Sequence, residues 1–176
     1  STGMANLNEI RQCINTIKKF HNKIIILHCI SGYPTPFEDI NLKTINLLKH
    51  KLNTELIGLS DHTDGIESSL AASMFNICII EKHFIINRKY KTLDSKFSID
   101  KKKMRELRDR LDSFNKMKGV PSFNLKKSEK NSLKLRRSIF SIKDIKIGET
   151  FNKNNISTFR PKIGLCASNY FFVLGK

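Results

Sequence analysis

The sequence predicts an α/β fold, parallel strands covered by helices with a small strand-rich module after them, and three observations carry that prediction. The apolar runs Ile24-Ile25-Ile26-Leu27, Leu56-Ile57-Gly58-Leu59 and Ile77-Cys78-Ile79-Ile80 are continuous rather than alternating, the mark of strands buried on both faces. Segments with apolar residues at helical spacing lie between them, so strand and helix recur roughly every 20 to 30 residues, the length of a βα unit. Past Gly119 the pattern becomes a basic, Ser-containing stretch and then short apolar pieces separated by Asp, Gly and Asn. In parallel sheets the chemistry sits at the carboxyl ends of strands. Ser60, Asp61, His62, Glu81 and His83 all occupy that end.

Asn6 to Phe20 places Leu7, Ile10, Ile14 and Ile17 on one helical stripe, with Asn6 as N-cap and Glu9 completing a capping box. Lys23 to His28 is the first strand. The loop Cys29 to Pro36 follows, where Pro34 and Pro36 stop any regular element and hold Tyr33 in place. Ile40 to Leu52 is helical through Ile45, Leu48 and Leu52. Leu56 to His62 and Ile77 to His83 are the second and third strands, with room for one helix over Gly65 to Phe75. Phe84-Ile85-Ile86 leads into a polar loop, Asn87 to Lys96, that carries Asp94; a helix from Asp100 to Met117 then turns Met104, Leu107, Leu111 and Phe114 inward. The resulting division is a first domain over 1–118, a basic linker over 119–135 and a module over 136–176. Its expected strands are Ile139 to Ile142, Ile145 to Ile147 and Ile156 to Phe159.

A chain of 176 residues with 39% apolar content can bury one real core. The formal charge of +16 raises the class of nucleic-acid binders, but the lysines are spread along the chain. The one dense run, Lys116 to Arg137, has only Phe123 as an interleaved aromatic and reads as a solvated linker. Cys13, Cys29, Cys78 and Cys166 form no Cys-x-x-Cys pair, which points to a reducing cytoplasm and away from structural zinc; Cys29 and Cys78 are expected to pack as small hydrophobes. No apolar run approaches the length of a membrane span. The sequence starts at Ser1 with no initiator methionine, and the start is read as cut.

His62 and His83 end neighbouring strands. By spacing alone they are either two ligands of a divalent metal or two hydrogen-bonded core histidines. Glu81 shares a strand face with His83 and is either an acid or base, a supporting carboxylate for the metal, or a structural one. No nucleophile triad can be built on His28, since Cys29 and Ser31 follow it without an acid in reach, and His21 and His50 lie near helix ends as surface residues.

Four motifs recur in order along the chain: Leu27-His28-Cys29 with Tyr33-Pro34-Thr35-Pro36, Gly58-Leu59-Ser60-Asp61-His62-Thr63, Ile80-Glu81-Lys82-His83-Phe84, and Arg136-Arg137-Ser138 through Lys143-Asp144-Ile145-Lys146. Together they resemble the nonulosonic acid synthases, the sialic, legionaminic and pseudaminic acid synthases. The resemblance implies a partial TIM (β/α)₈ barrel, its last three βα units, followed by a truncated small β-rich antifreeze-like (SAF) domain. The first five barrel strands would precede Ser1, and the chain alone is expected to be inactive.

It further implies a condensation of phosphoenolpyruvate with the aldehyde of an N-acetylated amino sugar, giving a nine-carbon 2-keto acid, with Mn²⁺ or Mg²⁺. His62 and His83 match the metal ligands and Glu81 a carboxylate beside them. Ser1, Ser31 and Ser60 match positions at the phosphoenolpyruvate phosphate, and Tyr33 and Asp94 match sugar contacts. Arg160 matches the arginine that the SAF domain of a homodimer partner lays over the neighbouring active site. The sequence departs from the family at Ser31, commonly Asn, at Lys91-Thr92-Leu93, often glycine-containing, and at Lys162, usually Gly. Asp94 to Ser98 and Arg136 to Phe140 look closest to the pseudaminic branch. Two further readings share the motifs or the charge: a catalytically inactive remnant or interaction module of the same fold, and a basic nucleic-acid-binding protein.

Overall fold

Residues 1–176 are described by a computed structural model, in which the chain separates into two units, Ser1–Val120 and Pro121–Lys176. The first is organised on a parallel sheet of β1 (Ile26–Cys29), β2 (Ile57–Asp61) and β3 (Ile80–Lys82), in that spatial order. The register pairs Cys29 with Ser60 and Ser60 with Glu81, so the three carboxyl ends are level. Helices α1 (Leu7–Lys18), α2 (Thr44–Leu52) and α3 (Glu67–Ser73) connect and flank the strands.

The capping box read from Asn6 and Glu9 is present: Oδ1 of Asn6 accepts from the amides of Asn8 and Glu9 at 2.9 and 3.1 Å, and the Asn6 amide donates to Glu9 at 2.7 Å. The apolar stripe of α1 is less buried than its spacing predicts. None of its residues is fully buried, and only Ile10 packs on the main core of Ile40, Ile45, Leu48, Ile57, Leu59 and Ala72. Because side chains alternate across a strand, Ile57 and Leu59 enter that core while Gly58 and Ser60 face the other way. On that opposite face a side chain at Gly58 has no room: a Cβ would lie 2.5 Å from Leu27 Cδ2 and 2.7 Å from the Ile79 carbonyl oxygen.

Two elements differ from the sequence expectation. β3 begins at Ile80 rather than Ile77, so Cys78 lies outside it and is exposed, its thiol donating to the Ile57 carbonyl at 3.3 Å; the apolar run there is an edge approach, not a buried strand. The segment after β3 also forms a second parallel pair, β4 (Phe84–Ile85) with β5 (Ile99–Asp100), which closes the polar loop at its stem. Helix α4 (Lys101–Lys118) then packs Leu107, Leu111 and Phe114 with Ile66, Leu70 and Ile99, whereas Met104 is 36% exposed because it lies at the rim of this cluster.

Asp100 caps α4 through the Lys103 amide at 2.9 Å. That bond, with the Arg88 guanidinium beside it, holds the Asp100 carboxyl below the ordinary carboxylate range.

The second unit is built on an antiparallel pair, β6 (Ser138–Ser141) with β7 (Ile156–Phe159). Ser138 is fully buried, and its Oγ accepts from the amides of Ile163 and Gly164 at 3.0 and 3.3 Å, fastening the segment after β7. The expected strand at Ile145 to Ile147 does not form, and Ile147 is fully exposed. Residues 119–135, expected as a plain linker, contain a 3₁₀ helix over Lys127–Leu135, and helix α5 (Tyr170–Val173) precedes the end of the chain. No helix is long and apolar enough to cross a membrane.

Gly58→Ala is expected to lower the unfolding free energy by about 1–3 kcal/mol, the usual penalty for overpacking a rigid site. Denaturant titration of both proteins measures it, and an unchanged midpoint contradicts the crowding at Gly58. The Asp100 cap has its own pH signature. A carboxyl lowered in the folded state stabilises fully above its unfolded pKa of about 3.9 and loses that contribution as pH falls through the folded value. Helical circular dichroism followed down from pH 5 is therefore expected to show an acid loss that is absent in Asp100→Asn.

Candidate active site

The level strand ends bring four aromatic rings into one cluster. Tyr33, from the loop after β1, stacks on His62 at 4.2 Å between ring centroids, and His62 meets His83 edge-on at 5.2 Å. Phe97 closes the group from the loop between β4 and β5, 4.8 Å from His83 and 5.4 Å from Tyr33. Tilted and edge-to-face pairs of this kind contribute about 0.5–1.5 kcal/mol each beyond their area.

Each imidazole is held by the same nitrogen. Nδ1 of His62 lies 2.9 Å from the Ile30 carbonyl, and Nδ1 of His83 lies 3.4 Å from an Asp94 carboxylate oxygen. A carbonyl can only accept, so Nδ1 of His62 carries a proton there; the Asp94 carboxylate faces the corresponding nitrogen of His83 at ion-pair distance. This is how proteins prepare histidine as a metal ligand, the far nitrogen being fixed by an oxygen acceptor. No third His, Cys, Asp or Glu joins the pair as a set of ligands. Two imidazoles are donors of the kind a divalent ion accepts, and any further ligands would have to come from water or substrate.

Below the rings Ser60 donates its hydroxyl to Glu81 at 2.7 Å, across the Ser60–Glu81 register pair. Ser60 is buried and Glu81 exposed, so the carboxylate projects from the strand end with one oxygen held. The hydroxyl proton of Ser60 is directed at Glu81. Ser1 and Ser31 remain exposed. The amino-terminal segment follows β1: the Thr2 amide donates to the Leu27 carbonyl at 2.8 Å, and the Cys29 amide donates to Thr2 Oγ1 at 3.0 Å. Gly3 lies close to Ser31, since a Cβ there would sit 3.1 Å from its Oγ.

Tyr33 lies against the ring of His62 and Asp94 against His83, while Arg160 belongs to the second unit, exposed immediately after β7. His28, set aside in the sequence, is buried and bonded through Nε2 to the Ile40 carbonyl at 2.7 Å. Sequence reasoning missed Phe97, which is 3% exposed in a polar stretch with no periodicity to mark it. It also gave Lys82 no role, although strand alternation already placed Lys82 on the face opposite Glu81 and His83.

Comparison with known proteins adds independent findings. The NeuB family profile matches residues 1–122. The N,N'-diacetyllegionaminic acid synthase of Campylobacter jejuni is 39% identical over 100% of this chain and 54% of its own length, and a pseudaminic acid synthase of the same species is 36% identical over 100% and 51%. Among solved structures, the N-acetylneuraminic acid synthetase of Leptospira borgpetersenii is similar with a TM-score of 0.65 and 33% identity, covering 74% of this chain and 46% of that one. The chain thus spans about half the length of the curated relatives it matches.

Nδ1 of His62 is expected to carry a proton directed at the Ile30 carbonyl. Long-range ¹H–¹⁵N correlation spectra of the histidine rings report this directly, and an Nε2-protonated His62 would contradict the assignment of the Ile30 contact.

Proposed function

The chain belongs to the NeuB family, and on that premise we propose that it forms the carboxyl-terminal part of a phosphoenolpyruvate-dependent nonulosonic acid synthase. Its first unit would supply the last three βα units of a (β/α)₈ barrel and its second the start of an SAF domain. The observation that carries the reading is the pair His62 and His83 on neighbouring parallel strand ends, ring centroids 5.2 Å apart, with Nδ1 of His62 bonded to the Ile30 carbonyl and Nδ1 of His83 3.4 Å from Asp94. The legionaminic and pseudaminic branches match at similar identity, so the proposal is for the class of product, a nine-carbon 2-keto acid.

In this reading His62 and His83 would hold Mn²⁺ or Mg²⁺, an ion that when bound polarises the sugar's aldehyde oxygen as a Lewis acid. Tyr33 and Asp94 flank the rings and would orient the N-acetylated amino sugar, with Phe97 excluding water behind them. C3 of phosphoenolpyruvate forms the new bond to the aldehyde carbon, water adds at C2, and phosphate departs. Ser1 and Ser31 offer free hydroxyls to that phosphate. Glu81, which accepts from Ser60, would take or return the proton of the adding water. Arg160 would reach the site of a homodimer partner through an exchanged SAF domain. The four free cysteines accord with work in the reducing cytoplasm.

Phosphate release from phosphoenolpyruvate and an N-acetylated amino sugar, measured with the native polypeptide carrying this chain, tests the reading. His62→Ala and His83→Ala are each expected to reduce turnover by at least the ~10²- to 10³-fold typical of one lost electrostatic group, with the circular dichroism spectrum unchanged. Retained metal-dependent turnover in either variant sinks the assignment. Mixing Arg160→Ala subunits with His83→Ala subunits is expected to restore part of the activity, because one of the two mixed sites is then complete. No restoration means that Arg160 does not act across subunits.

A further inference from the structure

His62 and His83 stand on the face of the sheet away from the helices, and directly behind them their chain neighbours Asp61 and Lys82 form an ion pair sealed from solvent. The Lys82 ammonium lies 3.1 Å from Asp61 Oδ2, with the two side chains 1% and 0% exposed. The other residues on this face of β2, Ile57 and Leu59, are apolar and buried. A buried ion pair is a poor way to gain stability, since apolar side chains of the same volume do as well or better.

Its bonds say what it holds. Asp61 accepts from the Thr63 amide at 2.9 Å, the Thr63 hydroxyl at 2.7 Å and the Ser69 hydroxyl of α3 at 2.5 Å, and Lys82 donates to the Thr63 carbonyl at 2.8 Å. Every one of these bonds falls on the residues either side of His62 or on the residue before His83. The pair Asp61 and Lys82 is also the last rung of the β2–β3 ladder. Past that rung no backbone pairing joins the two strands, yet the two imidazoles sit on the residues immediately beyond it.

We infer that Asp61 and Lys82 are positioning residues that clamp the ends of β2 and β3 so that the His62 and His83 rings stay at ligating separation. The inference rests on the metal reading above and adds a cause for its geometry. Neither residue contacts the mouth in which substrate would lie; both act through the histidines they precede.

The test is Co²⁺ binding, the metal alone titrated into the native polypeptide, read by its visible absorption, which reports coordination geometry as well as occupancy. Asp61→Asn/Lys82→Met removes both charges together while keeping shape, so no lone buried charge is left. It is expected to unfold near the wild-type temperature, yet to bind Co²⁺ about 10- to 100-fold more weakly, as when other supporting partners of metal-bound histidines are removed, and with an altered band shape. Ser69→Ala, which frees Asp61 from α3 and removes only one hydroxyl, is expected to weaken binding in the same direction by a smaller factor. A folded double variant with wild-type affinity and spectrum overturns the clamp. If the double variant does not fold, an unchanged affinity in Ser69→Ala overturns it instead. Absence of Co²⁺ binding in the wild type, or binding that survives His62→Ala, overturns the metal reading itself.

Discussion

Side chains on a strand alternate between faces, and β2 and β3 run that alternation in phase. Ile57, Leu59 and Asp61 of β2, with Lys82 of β3, turn toward the helices, while Ser60, Glu81 and the two histidines turn away. The choice of face is enforced by the core, since Ile57 and Leu59 are completely buried and each such side chain is worth about 1.5–3 kcal/mol. A slip of one residue in either strand would reverse every assignment at once, exposing the apolar residues and burying a carboxylate and an imidazole. The polar mouth is thus held in place by apolar residues that never touch it.

Much of this could be read from the residues because it depends on local patterns. The Asn6–Glu9 capping box, the apolar runs of β1 and β2, and the arrival of His62 and His83 at neighbouring strand ends need only spacing and alternation. What could not be read depends on contacts between distant segments. Cys78 sits in an apolar run yet is exposed before β3 begins, and periodicity carries no record of what packs against a strand. The same gap explains Ile145 to Ile147, whose composition suits a strand but whose surroundings offer no partner.

The interaction of Ser60 with Glu81 shows a different limit. A motif match assigns each residue a role separately, but hydroxyl protons and carboxylate lone pairs are shared, and one bond between two motif residues changes what both have left to offer. Similarly, Asp94 is more than a polar residue of a loop: its carboxylate lies against the ring of His83, 3.4 Å from Nδ1.

Asp94 and Phe97 reach the histidines only because β4 and β5 pair, and that stem is short: the register pairs Phe84 with Ile99 and Ile85 with Asp100, with a further amide bond from Ile99 to the His83 carbonyl. Everything between the two strands hangs from this clasp. The tip, Lys91-Thr92-Leu93, is exposed, and Thr92 bonds to Ser95 within the loop itself. Natural variation can therefore change the residues at the rim one loop position at a time while the pairing of β4 with β5 keeps the loop's ends where they are.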